Sequence, residues 1–398
     1  MNTIRDDHIQ AAKIYINSSE IIGNLAKDIE DECQDLKWFL AATQRVGELS
    51  VKSTDRIISK GEILSSRFMT ALLLDRGVDS QYVDLSEVIS FEIPDSLDQV
   101  FYLNLARALK ERIAACGRKV PVITGYFGAV PGGLLEQIGR GYTDLCAALV
   151  AVGLGAEELQ VWKEIDGIFT ADPRKVPTAR LLTEISPAEA AELTFYGSEV
   201  IHPFTMEQVI RARIPIRIKN VTNPRGSGTV IKPDKVEKHG PTVPGHDSKL
   251  FRTRSASVLS EDQRPKRPTA VTIKHKIIVI NVHSNKRSLS HGFFAKIFST
   301  LDKWRMSVDL ISTSEVHVSM ALHSDSALVS GGGEDEKKIV DHDLRGAIEE
   351  LKRYGTVDII DGMAILSLVG KQMKDMVGCA GRMFSTLGEN HINVEMIS

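Results

Sequence analysis

The run Gln137-Ile-Gly-Arg-Gly-Tyr-Thr-Asp144 is the stretch that decides how this chain is interpreted. Two glycines flank Arg140, and Thr143 and Asp144 then open the apolar, alanine-rich segment from Leu145 to Leu154. Backbone N–H groups at the start of a helix have no partner within the helix, and they attract anions. We therefore predict that this run forms one half of a ligand site at a helix N-terminus.

A second informative run follows, Trp162-Lys-Glu-Ile-Asp-Gly-Ile-Phe-Thr-Ala-Asp-Pro-Arg174. It leaves a predicted strand, Leu159 to Trp162, through an acidic turn that contains Gly167. Ligands of open α/β sheets sit where strands end in this way. The order and spacing of the two runs predict the substrate and nucleotide halves of one phosphoryl-transfer site.

Composition limits the class of protein. The 398 residues suffice for two or three domains, and 49 Lys+Arg against 52 Asp+Glu leave a net charge of −3, so no overall basic field indicates a nucleic-acid partner. We find no apolar run near the roughly 20 residues of a membrane span, and no apolar core of a signal peptide at the start. Four cysteines without metal-ligand spacing indicate reduced thiols and a cytoplasmic protein.

The first part of the chain predicts an α/β fold. Helical spacing of apolar residues to about Val51 predicts two or three amphipathic helices. Strands then alternate with helices, which predicts an α/β sandwich with a mostly parallel sheet over residues 1–235. The predicted strands are Tyr82–Asp84, Val120–Thr124, Leu159–Trp162 and Ile214–Val221, and the helices are Gly61–Leu74, Leu97–Cys116, Leu145–Leu154 and Ser186–Phe195, the last opened by a Ser186–Glu189 capping box.

Residues 236–268 have little periodicity and many Pro, Ser, Gly and charged residues, which predicts an exposed linker. Within it, Arg252 to Ser257 is compatible with a phosphorylation site, but a solvated basic segment is the favoured interpretation.

An internal repeat follows the linker. Phe298-Ser-Thr-Leu301 recurs as Phe384-Ser-Thr-Leu387, and Val308-Asp-Leu-Ile-Ser312 recurs as Val394-Glu-Met-Ile-Ser398. Both pairs are 86 residues apart (384 − 298 and 394 − 308). Each copy predicts a strand–helix–strand unit, at 269–330 and 355–398, with a loop and helix at 331–354 between them. Copy one continues into a further strand and copy two stops first, so we expect copy two to be incomplete.

Seven ordered segments extend over nearly the whole chain: Ser59–Ser65, Val122–Gly128, Gly139–Asp144, Trp162–Arg174, Phe195–Phe204, Pro215–Asn220 and Val308–Glu315. Together they resemble the aspartate kinases, in particular the fungal monofunctional type. The resemblance implies an amino-acid-kinase-like three-layer α/β sandwich, followed by tandem ACT domains, which are βαββαβ modules that bind amino acids.

The resemblance also implies the reaction and its substrates. The γ-phosphate of ATP, with Mg²⁺, would pass to the β-carboxylate of L-aspartate, giving 4-phospho-L-aspartate in the first step toward threonine and methionine. Asp144 and Arg140 match the catalytic residues, and a planar guanidinium suits a substrate carboxylate. Glu62 matches an acid suited to the substrate ammonium, and Thr143 lies with Arg140 on the substrate side. Taken alone, Arg140 is better explained by pairing with a nearby carboxylate and Asp144 by capping the helix. Glu62 taken alone fits ordinary helix-start chemistry as well as a substrate role.

Nucleotide and effector residues are implied in the same way. The nucleotide segment carries Lys163, Glu164, Phe169, Arg174 and Lys175. Phe169 suits stacking on adenine, with a core position as the open alternative. In the repeat, Asp309, Ser314 and Glu315 form a candidate pocket with the turn at Asn285 to Gly292. The implied effector is L-threonine, acting in a homo-oligomer assembled through the ACT domains. A purely structural repeat is the alternative.

The chain departs from the family pattern in two places. Family members begin with a strand ending in Lys-Phe-Gly-Gly-Thr-Ser-Val, whose lysine meets the phosphates, and we find no such segment here. The smaller departure is Tyr142, which stands where many relatives have a second glycine. Because the lysine segment is missing and copy two of the repeat stops early, the chain is expected to be truncated at both ends, and the alternative function is a catalytically silent amino-acid-binding regulatory fragment. Another amino-acid kinase, such as a glutamate or acetylglutamate kinase, fits the repeat less well.

Two further motifs have ordinary explanations. His202-Pro203 predicts a turn with a satisfied histidine rather than a catalytic base. Asn223-Pro-Arg-Gly-Ser-Gly228 fits a phosphate-binding loop and a strand-end hairpin equally well.

Overall fold

The computed structural model describes residues 1–47, 49–94, 97–195, 201–233, 267–284, 292–314, 316–324, 341–371, 373 and 376–397, without the side chains of Glu136, Arg140, Phe195 and Pro203. The chain divides into two compact units. The first takes in Met1–Ile168, Leu181–Ala190 and Glu199–Lys238, and the second takes in the rest. The predicted linker lies almost entirely outside the described residues, and the domain boundaries stay predictions.

Three helices open the first unit: α1 (Asn2–Tyr15), α2 (Ser19–Val46) and α3 (Val51–Asp75). Ser50 caps α3 by accepting a hydrogen bond from the N–H of Ser53, so this helix begins ten residues before the predicted start at Gly61. Gly61 is tolerated inside the helix because a side chain there would meet open space. The amphipathic helices predicted before Val51 are confirmed as two, α1 and α2, and the helix predicted at Gly61–Leu74 is confirmed within α3.

The α/β part of the first unit follows the predicted alternation. Its strand pairings are mostly parallel: β1 pairs with β2, β3 with β5 and β4 with β6 in parallel, and only β5 with β6 in antiparallel fashion. The elements are β1 (Ser80–Val83), α4 (Gln99–Ala114), β2 (Val120–Ile123), α5 (Leu134–Gln137), a 3-10 turn (Gly139–Gly141), α6 (Tyr142–Leu154), β3 (Leu159–Lys163), β4 (Glu184–Ile185), α7 (Pro187–Phe195), α8 (Pro203–Arg211), β5 (Ile216–Asn220) and β6 (Thr229–Ile231).

The capping box predicted for α7 is present. Glu189 Oε2 accepts hydrogen bonds from the N–H and the hydroxyl of Ser186, at 3.0 and 2.7 Å, and Ser186 Oγ accepts from the N–H of Glu189. Reciprocal bonds of this kind satisfy backbone donors that the helix itself leaves open.

The core beneath the candidate site packs α6 against α4. Leu105, Leu109, Leu145 and Leu149 are fully buried there. A Cβ on Gly153 would overlap the carbonyl of Ala106, so glycine lets the two helices approach closely. Each fully buried leucine contributes about 1.5–3 kcal/mol, and this packing holds α6 and its N-terminus in a defined place.

The second unit is built on one antiparallel sheet in the order β10-β7-β9-β8. β7 and β10 pair along their whole lengths, with irregularities between Ile360 and Ile365, so strands from both copies of the repeat lie side by side. The helices α9 and α10 cover one face of this sheet. The elements are β7 (Ala270–Ser284), α9 (Phe293–Lys303), β8 (Val308–Thr313), β9 (His317–His323), α10 (His342–Leu351), β10 (Gly355–Val369) and α11 (Cys379–Glu389).

The strand predicted at Val394–Ser398 in copy two is wrong for its described residues, 394–397, which form no strand. In copy one the equivalent strand β8 is held by ladder bonds to β9. The segment from Val394 to Ile397 has no such partner among the described strands, and both of these side chains are exposed. A strand needs a neighbour for its backbone groups, which explains the difference.

Across the described residues, no helix is both long and apolar enough to cross a membrane.

Candidate active site

One face of helix α3 organises the loops around the candidate site. Asp55 and Glu62 are two helical turns apart and therefore point to the same side. Asp55 is buried, and its carboxylate accepts hydrogen bonds from the N–H groups of Leu134 and Leu135, at 2.7 and 3.3 Å. It therefore fixes the start of α5, just before the glycine-rich run.

Glu62 is held at both oxygens. Oε2 accepts a hydrogen bond of 2.8 Å from the N–H of Tyr126, and Oε1 accepts a short one from the Tyr142 hydroxyl. Burial raises the pKa of Tyr142 above its ordinary value, and the hydrogen bond to Glu62 adds to the effect. The phenol therefore stays protonated at neutral pH and remains a donor.

Gly125, at the end of β2, brings the site together. A Cβ at this position would overlap the side chain of Thr143 and crowd the carboxylate of Glu62. Only a glycine lets the backbone after β2 approach both groups so closely. Three elements distant in sequence, α3, the β2 loop and α6, thus meet at one point.

The N-terminus of α6 provides the predicted anion-attracting geometry. The helix begins at Tyr142, with Thr143 and Asp144 in its first turn, and Gly141 as its N-cap has no side chain to satisfy the N–H groups. Gly139 has a φ of +79°, a left-handed conformation that favours glycine. The backbone structure therefore explains why glycine is present on both sides of Arg140.

Asp144 faces the end of β3. Lys163 Nζ lies 3.5 Å from Asp144 Oδ2, and each side chain is about one third exposed, at 34% and 32%. A long, partly exposed ion pair of this kind is weak. The two opposite charges are therefore available to reorganise around a charged ligand.

The turn after β3 contains a polar cluster that sequence reasoning missed. Asp166 Oδ1 accepts hydrogen bonds of 3.1 Å from the side-chain amides of both Asn220 and Asn223. Next to it, Gly167 has a φ of +138°, and a Cβ there would overlap Thr229 Oγ1. The available signal was the position of Asn220 at the carboxyl end of β5, the parallel neighbour of β3.

Burial also affects a neighbouring thiol. It raises the pKa of Cys146 to about 12, with the charge of Glu62 as the second cause. Cys146 is thus an inert apolar group beneath the site rather than a nucleophile.

The sequence-predicted residues fall into three groups. Glu62, Thr143, Asp144 and Lys163 come together around the start of α6. The backbone of Arg140 lies in the preceding 3-10 turn, but its side chain is outside the described part, and Glu164 is exposed in the turn after β3. The other predicted nucleotide residues, Phe169, Arg174 and Lys175, lie in the second unit, and their role stays a prediction.

Two of those residues have partners in the second unit. Arg174 Nε lies 3.1 Å from Asp172 Oδ1, and Lys175 Nζ lies 2.5 Å from His275 Nε2. Both cations would have to exchange these partners for phosphate oxygens.

Both ordinary explanations offered for the remaining motifs are confirmed. His202 Nδ1 accepts a hydrogen bond from the N–H of Phe204 at 3.3 Å and so caps α8. The segment from Asn223 to Gly228 connects the antiparallel strands β5 and β6 and is therefore a hairpin.

The predicted effector residues are described only in part. The side chain of Asp309 is 6% exposed, and its Oδ1 lies 2.7 Å from Lys274 Nζ, while Oδ2 has no hydrogen-bond partner among the described residues. Ser314 is exposed beyond the end of β8. Glu315 and residues 285–291 lie outside the described residues.

Within the described ranges, no group of three or more His, Cys, Asp or Glu side chains is arranged to hold a metal ion.

Comparison with known proteins adds to this geometry. Residues 7–220 match the model of the amino acid kinase family, and residues 366–398 match an ACT domain. The aspartokinase of Schizosaccharomyces pombe is 54% identical over 396 residues, which cover 99% of this chain and 73% of that protein. The aspartokinase of Saccharomyces cerevisiae is 53% identical over 403 residues, covering 100% and 73%.

Solved structures give the same picture. E. coli aspartokinase III in complex with aspartate and ADP superposes with a TM-score of 0.67 at 26% identity, over 93% of this chain and 74% of that one. The same enzyme in complex with lysine and aspartate also has a TM-score of 0.67, over 95% and 76%. The predicted fold class, a kinase-type α/β domain followed by ACT structure, is confirmed.

Proposed function

The chain belongs to the aspartokinase family and is an aspartate kinase, and from that premise we propose how its residues divide the work. The observation that carries the proposal is the convergence of Glu62, Thr143 and Asp144 at the N-terminus of α6, with Lys163 across from Asp144. These groups offer an acid for an ammonium, N–H donors for an anion, and a cation for phosphate.

On the substrate side, L-aspartate would place its ammonium at Glu62. The guanidinium of Arg140 would take a carboxylate in two parallel hydrogen bonds, and the Thr143 hydroxyl would bind beside it. The partial positive charge at the start of α6 favours an anionic substrate at this position.

On the nucleotide side, Lys163 would exchange Asp144 for phosphate oxygens of ATP. Phosphoryl transfer depends mainly on positioning and on neutralising charge on the transferred group. Asp144 would orient Lys163 and the other cations around that group. Glu164, Phe169, Arg174 and Lys175 complete the proposed nucleotide set.

Mg²⁺ fits this donor set as a companion of the nucleotide. It binds mainly through substrate phosphates, water and one or two carboxylates, rather than in a protein cage. Asp144, whose side chain is 32% exposed at the start of α6, offers an oxygen ligand of this kind. When bound, it neutralises charge on the phosphates, and the chain's own task remains to orient the two substrates.

The proposal is tested by aspartyl-hydroxamate formation from Mg-ATP and L-aspartate by the 398-residue chain. Asp144→Asn should lower kcat roughly 10²–10³-fold, because a preorganised charge in the site is lost. Glu207→Gln, in an exposed ion pair on α8, is the matched control and should stay within twofold. No product with the unaltered chain, or an unimpaired Asp144→Asn, would contradict the assignment.

For regulation, we propose L-threonine as the effector, bound at Asp309, Ser314 and Glu315. The buried Oδ2 of Asp309, for which the described residues provide no hydrogen-bond partner, supports a role for an ammonium ligand there. E. coli aspartokinase III has been crystallised with lysine, so lysine is the competing candidate. Calorimetric titration with each amino acid decides between them, and Asp309→Asn should abolish binding of the true effector.

The remaining parts of the proposal concern setting and assembly. The reaction would supply threonine and methionine synthesis in the cytoplasm, and the ACT region would join copies into a homo-oligomer. Sedimentation equilibrium of the purified chain tests the assembly, and a monomer at micromolar concentration would contradict it.

A further inference from the structure

Tyr142 occupies an unusual position for a residue at the start of the α6 helix. Its side chain is 4% exposed and reaches back to α3, where its hydroxyl donates to Glu62, 80 positions away in the chain. Its neighbours in the first turn are the proposed substrate and catalytic residues Thr143 and Asp144. A single side chain therefore connects the helix N-terminus to the acid on α3.

Glu62 has a flexible side chain, and fixing such a chain costs up to about 2 kcal/mol of rotamer entropy. The N–H of Tyr126 holds Oε2, but one bond still allows the carboxylate to swing about that oxygen. A second bond, from the buried phenol to Oε1, fixes the plane of the group. Charge-assisted bonds of this kind are about twice as strong as neutral ones.

We propose that Tyr142 is a positioning residue that acts through Glu62 and sets the affinity for the amino-acid substrate. This inference rests on the proposed function, because Glu62 must face the substrate ammonium for the role to exist. Tyr142 and Tyr126 then hold the carboxylate of Glu62, with its unused lone pairs, in one orientation. The substrate ammonium meets an oriented carboxylate rather than a mobile one.

The test is a double-mutant cycle with Tyr142→Phe, Glu62→Gln and the double variant. Tyr142→Phe keeps the ring in the core and removes only the hydroxyl. We expect the KM for aspartate to rise about tenfold, as for loss of one hydrogen bond to a charged group, while kcat and the KM for ATP change less than twofold. In the Glu62→Gln background, Tyr142→Phe should raise the KM for aspartate by a further factor of less than two, because the two groups act as a unit.

Tyr82→Phe is the matched control. The Tyr82 hydroxyl is also buried but has no hydrogen-bond partner among the described residues, so its removal should leave all three kinetic constants unchanged. If turnover of Glu62→Gln is too low to measure, dissociation constants for aspartate from calorimetry replace KM in the cycle.

The outcomes separate the inference from the proposed function. The role of Tyr142 alone is overturned if the unaltered chain is active and one of three results is found for Tyr142→Phe. These are an unchanged KM for aspartate, an equal rise of this KM in both backgrounds, or a loss confined to kcat. A chain that neither turns over nor binds aspartate overturns the proposed function and this role together.

Discussion

Helices α9 and α11 carry the same tetrapeptide, Phe-Ser-Thr-Leu, yet the fold uses it differently. In α9, Thr300 and Leu301 are 2% exposed, with α10 and the sheet packed around them. In α11, the equivalent Thr386 is exposed and no residue of the helix is buried. The sequence is sufficient for a helix in both places, but only the tertiary surroundings make its apolar residues part of a core.

The surroundings of α11 explain the difference. A cavity of about 710 Å³ lies between this helix and the sheet, lined by Met383, Phe384 and Leu387 on the helix side. Side chains next to a void lose the contacts that close packing gives. The helices α9 and α11 therefore differ in stabilisation rather than in secondary structure, and substitutions in the two copies measure the difference.

The largest effect is expected for the paired leucines. Leu301→Ala should destabilise the second unit by about 3 kcal/mol, because a fully buried leucine leaves a cavity. Leu387→Ala should cost less than about 1 kcal/mol, since its side chain is already partly exposed.

Urea unfolding followed by the emission of Trp304 measures both changes. Trp38 and Trp162, which are 69% and 42% exposed, are first replaced by Phe so that one reporter remains. Equal losses for the two leucines would contradict the comparison.

Replacing a glycine by alanine in α10 and in α11 should change the free energy of unfolding in opposite directions. A Cβ on Gly346 of α10 would overlap the ring of Trp304, so Gly346→Ala should destabilise by about 2 kcal/mol through overpacking. Gly381 of α11 faces open space, and Gly381→Ala should stabilise by up to about 1 kcal/mol through helix propensity. Hydrogen exchange of peptides from α10 and α11 gives a local readout, and a stabilised Gly346→Ala would show that the ring of Trp304 moves freely.

The acidic residues of the two copies offer a third contrast. The side chain of Asp309 is 6% exposed and lies beside Lys274, whereas its repeat equivalent Glu395 is exposed. Asp309→Asn should cost about 1–2 kcal/mol, because it replaces a charge-assisted hydrogen bond to the Lys274 ammonium by a weaker neutral one. Glu395→Gln should stay within about 0.5 kcal/mol. The same urea titration measures both, and a neutral Asp309→Asn would mean that Lys274 is satisfied by other groups.

The smallest expected effect is a pH dependence of stability that arises from two histidines in copy one. The rings of His283 and His317 stack at 4.2 Å, and Asp358 on β10 lies 4.0 Å from His283. Burial, followed by the charge of His283, lowers the pKa of His317 below its ordinary value. The unfolded chain therefore binds the proton more readily, and stability should fall as the pH drops below about 6.5.

This pH effect is checked by measuring stability between pH 8 and pH 5 for the unaltered chain and for His317→Gln. The variant should show a shallower decline over that window. An identical decline would assign the pH dependence to other groups.

The helices and strands could be predicted from the sequence more reliably than the residues with which they pair in the fold. The alternation of strands and helices, the capping box at Ser186 and the start of α6 were all predicted, because each depends on residues within one or two turns. The strand at Val394 was predicted wrongly, since a strand depends on a distant neighbour that no local pattern reveals.

The same distinction holds at the candidate site. The type and order of Glu62, Thr143, Asp144 and Lys163 could be predicted from their motifs. The hydrogen bond from Tyr142 to Glu62 could not, because the two residues are 80 positions apart and meet only through the packing of α6 beside α3. The cluster around Asp166 was missed for the same reason, as its partners come from β5 and the hairpin after it.

The sequence by itself therefore determined the family, the α/β and ACT architecture, and the residues that cluster at the start of α6. Only the tertiary structure decided which oxygen of Glu62 accepts from which donor, and that Asp309 pairs with Lys274. It also decided that one copy of a repeated helix contributes residues to a core while the other does not. The reason is physical. Helix and strand preferences arise within a few residues, whereas burial and side-chain pairing depend on which surfaces the folded chain brings together.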